Sequence, residues 1–476
     1  VQIRQPIEKI ELKTCLINLT KILLVTALVF GLSTFANSQT EDSFEIGKLN
    51  SYLNAIHLKK GFSGEILVAN GVNILYQETI GLASHENNLE LKKGAKYRIA
   101  SITKTFTGTL IALAEEEGKL NLQDKAIDYV NGLSPKFKDI TIEHLLSHTS
   151  GLPHNEGIKD YWLTKSKLQI LPEQVIIEIN TLDLLFNPGS EMRYSSLGYY
   201  LLASILENVY TSSFDDLLKN KILYKLQMTE TGIVDNLKII PQMAVGYHLI
   251  TDDSLVVAPY RNYSMLKGAG DMYSTATELL KWNNSFFSNT LLSKKTKAAV
   301  FAQKSIKMVN SDDKYGYGWY TSSDKPEKNY HGGGTWGFST HSVMYPDKQI
   351  SIIILSNVST LPISAIAEDV EKIVFGEPFQ MPTILEVSQE AVNLEMYSGT
   401  FTTDENKMVL SIIKSENSLY AKLGGNPPFE IYPKGNHQFF GKKIEIELTF
   451  EITDDLITGL SAERMGQLFQ FKKVTK

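Results

Sequence analysis

Ala100-Ser101-Ile102-Thr103-Lys104 is the stretch around which the rest of the chain arranges itself. It holds a serine and a lysine at positions i and i+3, with Ile102, Phe106, Leu110 and Leu113 recurring at helical spacing through and behind it. That period predicts an amphipathic helix ending near Gly118, with Ser101 in its first turn. Residues at i and i+3 of a helix share a face, so the lysine amine can reach the serine hydroxyl. An unassisted serine is a weak nucleophile, and a neighbouring base is one of the few ways to activate it. Equally, a serine at a helix start can be a plain N-terminal residue beside a solvated lysine. The same spacing occurs at Ser322/Lys325, in a polar stretch before Pro326, and at Ser411/Lys414, in a strand-like run. In a strand, i and i+3 face opposite ways, so neither copy suits catalysis. Partners elsewhere in the chain must decide for Ser101.

The chain has 476 residues, which suggests two domains, each large enough for its own core. Its formal net charge of -6 argues against a general nucleic-acid binder, which needs a basic surface for phosphate. Lys9, Lys13 and Lys21 precede an apolar run from Ile22 to Phe35, and Ala36-Asn37-Ser38 follow it. Residues 1–38 therefore read as a secretory signal cleaved near Ser38, with an uncleaved anchor as the alternative. The run is short against the ~20 apolar residues of a membrane span. Cys15, the only cysteine, lies before the run, so the exported protein would carry no disulfide. A periplasmic or secreted location is the expectation.

From Gly64 to Gly81, two β-rich runs joined at Asn70-Gly71 predict a hairpin. Thr141 can cap a short helix through Leu145 and Leu146. The middle of the chain, to about residue 300, reads as mostly helices and loops, with Tyr194 just before a helix that runs from Leu197 past Ile205. A second strand set follows: Tyr317 to Tyr320, His331 to Gly334, Ser339 to Tyr345 and Ile350 to Asn357, then a closing helix from Ile363 to Phe375. Strands at both ends with helices between predict an α+β domain over residues 39–376, one antiparallel sheet flanked by helices plus a helical subdomain. Residues 377–392, with Pro378 and Pro382, read as a linker. Residues 393–476 contain six short strand-like runs with turns between them, which predict a small all-β barrel or sandwich.

Ser101-x-x-Lys104, Tyr194-Ser195-Ser196 and His331-Gly332-Gly333 occur in the order and spacing of the penicillin-recognising serine hydrolases. More closely, residues 44 to 376 resemble the branch of class C β-lactamases, low-molecular-weight penicillin-binding proteins and related esterases and peptidases. Leu145-Leu146-Ser147-His148-Thr149-Ser150-Gly151-Leu152-Pro153 and Gly268-Ala269-Gly270-Asp271-Met272-Tyr273-Ser274-Thr275 support the likeness, as does the run from His331 to Phe338. Leu394 to Phe401 resembles the start of small lipocalin-like domains that follow such hydrolases, in a gating or a purely structural role.

The resemblance implies that Ser101 attacks a carbonyl to form an acyl-enzyme while Lys104 accepts its proton and Tyr194 relays one to the leaving group. A free lysine has a pKa of ~10.4, so the site must lower it. Which of Lys104 and Tyr194 is the acylation base stays open. By the same pattern, the backbone N–H groups of Ser101 and Gly334 form the oxyanion hole. Ser196, His331, Gly332, Gly333 and Trp336 would line the substrate. Gly332, Gly333 and Gly334 carry no side chains, so a substrate backbone can lie along that strand. His331 stands where many relatives have lysine, and Ser196 where asparagine is more usual. Both differences point from β-lactams towards esters or peptides.

His144 and His148 lie four apart with His154 nearby, but lack the intervening glutamate of a zinc-protease helix, so no metal is expected. No Gly-x-Ser-x-Gly elbow occurs. The expectation is an exported serine hydrolase that needs no metal or organic cofactor. Its substrate would be a small ester, amide or peptide, as for an esterase, a D-amino-acid peptidase or carboxypeptidase, or a β-lactamase, with a peptidoglycan-like peptide or a β-lactam among the candidates. The alternative is a penicillin-binding or sensor protein, acylated without efficient turnover.

Overall fold

The computed structural model describes residues 45–476 except 252–253, 302–312, 323–325, 360, 384–386, 389–392, 404–407, 443, 445, 455, 465–466 and 475–476. The expected signal, Lys325 and part of the expected linker lie outside the described residues.

Strands from the two ends of the first domain meet in one sheet. β1 (Gly64–Asn70) and β2 (Asn73–Ile80) form the expected hairpin, turning at Gly71-Val72 with Asn70 paired to Asn73. β3 (Lys314–Gly316), β4 (Trp319–Ser322), β5 (Lys328–Thr335), β6 (Phe338–Tyr345) and β7 (Ile350–Ser356) complete it. The order is β3-β4-β5-β6-β7-β1-β2, and each neighbouring pair is antiparallel.

Of the helices among the described residues, six matter here: α1 (Ile46–Lys60), α2 (Thr103–Glu116), α3 (Ile142–Leu146), α4 (Ser196–Tyr210), α5 (Ala276–Phe287) and α6 (Ile363–Val374). Alternation along the strands divides the apolar residues between two cores. Ile66, Val68, Ile352 and Ile354 join Tyr52 of α1 and Val370 of α6. Leu67, Ala69, Ile353 and Leu355 join Phe106 of α2, Leu201 of α4 and Trp282 of α5. The sheet is thus a middle layer, and burial on both its faces drives its association with the helices.

Several expectations need correcting. α2 is not amphipathic, since every residue from Thr103 to Ala114 is buried. Its threonines look polar in sequence, but the hydroxyls of Thr105, Thr107 and Thr109 donate to the carbonyls of Ile102, Gly268 and Thr105 at 2.8, 2.6 and 2.8 Å. Satisfied this way, hydroxyls tolerate burial. The strand expected from Tyr317 to Tyr320 is broken at its start, because Tyr317 and Gly318 form the β3–β4 turn with φ of 50° and 89°. That turn lies against α2, and a Cβ on Gly318 would fall 2.2 Å from the Lys104 carbonyl oxygen. The middle also holds short strands that a helix-and-loop reading omits: Tyr97–Arg98, Gly232–Ile233 and Met272–Ser274 share a sheet, and Tyr247–Leu249 pairs with Leu255–Val257.

The second domain is a closed antiparallel barrel: β8 (Gly399–Thr402), β9 (Val409–Ser415), β10 (Ser418–Leu423), β11 (Phe429–Gly435), β12 (Gln438–Phe440), β13 (Glu447–Thr453), β14 (Leu456–Arg464) and β15 (Gln467–Lys473). β12 and β14 were not among the six expected strands. A register shift at Glu451/Ile452 interrupts the β13–β14 ladder, and the buried residues Ile457, Leu460 and Ala462 of β14 do not keep strict alternation. Ser411 and Lys414 sit on β9, where Lys414 pairs with Glu395 at 3.4 Å. Among the described residues, no helix is long and apolar enough to cross a membrane.

Candidate active site

Ser101 lies in a 3₁₀ turn, Ala100–Ile102, that leads directly into α2. Ala100 has a φ of 46°, a left-handed conformation that a residue with a Cβ adopts at a cost in strain. Lys104, one turn on, is fully buried, with Nζ 3.1 Å from Ser101 Oγ. The amine also donates to Ser196 Oγ at 3.1 Å and to the Ala269 carbonyl at 2.6 Å. Burial pushes its pKa well below the usual lysine value; the Asp271 carboxyl opposes this and the Arg261 charge adds to it. Asp271 is itself raised by burial to about 7, despite hydrogen bonds that favour its charged form. The net result is an amine poised to be neutral beside a serine hydroxyl.

Tyr194 precedes α4, whose N-cap is Ser195. The turn after α3 holds it there. His148, at φ 59°, accepts the Arg193 N–H on its carbonyl at 2.9 Å and the Ser195 N–H on Nδ1 at 3.2 Å, while Ser195 Oγ donates to the Pro153 carbonyl at 2.9 Å. The Tyr194 ring lies 4.3 Å from the His148 ring and 4.9 Å from Lys104 Nζ. Burial pushes the Tyr194 phenol well above its usual range, with a smaller downward pull from the Ser101 hydroxyl. Ser196, expected to line the substrate, is 4% exposed, and its hydroxyl meets both Lys104 and His154 Nε2, the latter at 3.1 Å.

β5 carries the glycines. Its two-residue turn to β6, Trp336-Gly337, pairs Thr335 with Phe338. Hydrogen-bonded pairs alternate along an antiparallel ladder, so the peptide groups of Gly332 and Gly334 face away from β6. On that side the β4 pairing ends at Tyr330, and among the described residues no strand lies beside the edge from His331 onward. The three glycines differ. A Cβ on Gly333 would fall 2.3 Å from the Ile99 carbonyl oxygen, whereas one on Gly334 would meet nothing within 4 Å. His331 is 2% exposed; its Nδ1 donates to the Gly332 carbonyl at 2.5 Å, so Nε2 accepts from the Tyr315 hydroxyl at 3.1 Å. Burial pushes its pKa down to about 3, and the imidazole is neutral.

Trp336 is 4% exposed and packs beside Trp162, with ring centroids 5.7 Å apart. Its Nε1 donates to Asn426 Oδ1 of the barrel at 2.7 Å. Trp282 and Trp319 are core residues: Trp282 stacks on Phe106 at 4.0 Å, and Trp319 meets Phe286 edge-on at 5.3 Å.

Sequence reasoning missed several neighbours of Lys104 and the β5 edge. Ala269 falls in a stretch already singled out, yet nothing in its pattern marks its carbonyl as a lysine acceptor. Arg261, 5% exposed, donates to Thr335 Oγ1 at 3.0 Å and to the Tyr161 hydroxyl at 2.9 Å. His154, in sequence a candidate metal ligand, instead has its Nδ1 2.7 Å from Glu156 Oε2. His144 closes the capping box of α3, where its Nδ1 accepts the Thr141 N–H at 3.2 Å. Among the described residues, no group of three or more His, Cys, Asp or Glu could hold a metal ion.

The protein-family model described as Beta-lactamase matches residues 60–371. Penicillin-binding protein 4* of Bacillus subtilis (strain 168) is 28% identical over 431 residues, covering 86% of this chain and 94% of that protein. The octameric penicillin-binding protein homologue from Pyrococcus abyssi has a similar structure, with a TM-score of 0.63 at 21% identity, over 90% of this chain and 100% of that one. So does a D-stereospecific amidohydrolase from Streptomyces sp., with a TM-score of 0.60 at 20% identity, over 70% of this chain and 98% of that one. At such identities the two structures speak for the fold alone.

Proposed function

Because the chain belongs to the Beta-lactamase family, whose fold is that of serine hydrolases, we propose that it hydrolyses a small ester, amide or peptide through an acyl-enzyme on Ser101. The observation that carries this is the buried Lys104 amine, its pKa pushed well down, 3.1 Å from Ser101 Oγ. Ser101 Oγ adds to the substrate carbonyl carbon and yields its proton to Lys104 Nζ. Tyr194 serves poorly as that base, because burial favours its protonated phenol. It is better suited as a relay: as the tetrahedral intermediate collapses it passes its proton to the leaving group and takes one back from the Lys104 ammonium. Water then adds to the acyl carbon, giving a proton to Lys104 Nζ, which returns it to Ser101 Oγ as the serine departs. The N–H groups of Ser101 and Gly334 receive the developing oxyanion, each such donor contributing ~3 kcal/mol.

A neutral His331 supplies no fixed positive charge for a lactam carboxylate, which favours esters and peptides. The likeness to a D-stereospecific amidohydrolase supports trying D-configured amides first. The apolar run from Ile22 to Phe35 supports an exported protein, tested by fractionating cells that express the full chain. The likeness to a protein named for penicillin binding supports a second reading, acylation without turnover.

One experiment addresses both readings. The purified protein and Ser101→Ala are assayed on short-chain aryl esters, D-Ala-D-Ala peptides and a chromogenic cephalosporin, and intact mass is read after fluorophosphonate or β-lactam. Hydrolysis abolished by Ser101→Ala supports the hydrolase, and a persistent adduct without product supports the second reading. Undiminished hydrolysis by Ser101→Ala would overturn the assignment.

A further inference from the structure

Behind Lys104 runs a chain of hydrogen bonds that the proposed reaction does not yet use. Lys104 Nζ lies 3.1 Å from Ser196 Oγ, Ser196 Oγ 3.1 Å from His154 Nε2, and His154 Nδ1 2.7 Å from Glu156 Oε2. Ser196 is 4% exposed, whereas the side chains of His154 and Glu156 are 30% and 32% exposed. The chain therefore starts at the solvent margin and ends inside the site.

The direction of every bond in it follows from its outer end. Burial raises the Glu156 pKa, but hydrogen bonds, the one to His154 foremost, together with the Arg261 charge outweigh that and leave it below the usual carboxylate value. An ionised carboxylate only accepts, so Nδ1 carries a hydrogen, and when the imidazole holds that one proton alone its Nε2 is a bare acceptor. Ser196 Oγ–H must then donate to Nε2, and its oxygen accepts from Lys104. A neutral amine has two N–H groups. One goes to Ser196 Oγ and the other to the Ala269 carbonyl, 2.6 Å away. What remains is the lone pair, and the remaining neighbour is Ser101 Oγ at 3.1 Å.

We infer that Glu156, His154 and Ser196 form a positioning chain that aims the Lys104 lone pair at the Ser101 hydroxyl. This rests on the reading of Ser101 and Lys104 as nucleophile and base. None of the three chain residues reacts with substrate; each acts by fixing the hydrogen of the next. Were the imidazole replaced by a group that accepts nothing, the Ser196 hydrogen would turn to the amine lone pair and compete with Ser101. An amide at position 154 can still accept through its oxygen, and so preserves the polarity.

The test compares His154→Leu, His154→Gln and Glu156→Gln in the full-length protein, on an aryl ester that the wild type hydrolyses. His154→Leu is expected to lower kcat about tenfold at unchanged KM, a fraction of the ~10²–10⁴ that a positioned base contributes. His154→Gln should recover most of that loss, and Glu156→Gln, which no longer dictates the tautomer, should fall between them. In a Ser196→Ala background, which removes the link, none of the three should have a further effect. Wild-type kcat in His154→Leu, equal losses in His154→Gln and His154→Leu, or an undiminished loss in the Ser196→Ala background would each overturn the inference. Ser101→Ala run alongside separates the two levels. If it is inactive while His154→Leu is normal, only the positioning chain fails; if it retains full hydrolysis, the underlying reading fails.

Discussion

His148, His331 and His341 fold as neutral imidazoles: burial, with smaller contributions from neighbouring charges, holds His331 down to about 3 and His341 to about 4, and His148 well below its usual value. Unfolded, each would titrate near ~6.5. Between the folded and unfolded pKa values the unfolded chain binds more protons, so stability falls as pH drops through that window. We expect the melting temperature to fall steeply from pH 6.5 to about 4, and less steeply in His331→Asn. A flat profile in the wild type would contradict neutral burial. Lys104 obeys the same sign at higher pH. Its folded pKa is depressed, so stability rises as pH climbs towards the unfolded value of ~10.4. Lys104→Met should flatten that rise and lower kcat/KM by ~10²–10⁴, read from melts at several pH values beside ester kinetics. Ser101, Lys104 and Tyr194 were legible because their motifs keep a fixed order along the chain. His154, Glu156 and Ala269 were not, because their relation to Lys104 exists only in space and leaves no periodic trace.

At the scale of elements, β5 separates what folding needs from what chemistry needs. Gly333 is hemmed in by the Ile99 carbonyl, whereas Gly334 has open space around its missing side chain. Gly333→Ala should therefore destabilise the protein, by about 1–3 kcal/mol as for other overpacked sites. Gly334→Ala should melt normally yet lose ester hydrolysis, because its methyl group would occupy the room left for substrate. Normal activity in Gly334→Ala would argue against substrate along this edge. The hairpin at Gly71 was readable from its turn residues, whereas the break at Tyr317-Gly318 was hidden in an aromatic run that looks like continuous strand. The burial of α2 was likewise hidden, since hydroxyls bonded within a helix or to a neighbouring carbonyl look no different in sequence from solvated ones.

Across the whole molecule, the barrel meets the hydrolase domain at the β5–β6 turn, where the Trp336 indole donates to Asn426. The Glu430 N–H also donates to the Ile250 carbonyl at 2.8 Å. Asn426→Ala would leave a nearly buried indole N–H without its acceptor, at a cost of about 1–3 kcal/mol. A lower melting temperature and a raised KM for the aryl ester are expected. An unchanged melt and KM would show that the barrel does not brace the turn beside Gly334. A second, all-β unit was legible from chain length and strand spacing, but its contact with the first was not, because Trp336 and Asn426 lie far apart in sequence with no shared pattern.

The central sheet also constrains how the chain acquires its structure. β1 pairs along its whole length with β7, and the Ser356 hydroxyl donates to the Ser63 carbonyl across 293 residues of sequence. No early contact can substitute for that closure, whose loop entropy is paid before the long-range contacts form. The first strand pair must therefore wait, with one edge unsatisfied, until nearly the entire hydrolase domain has emerged from the ribosome.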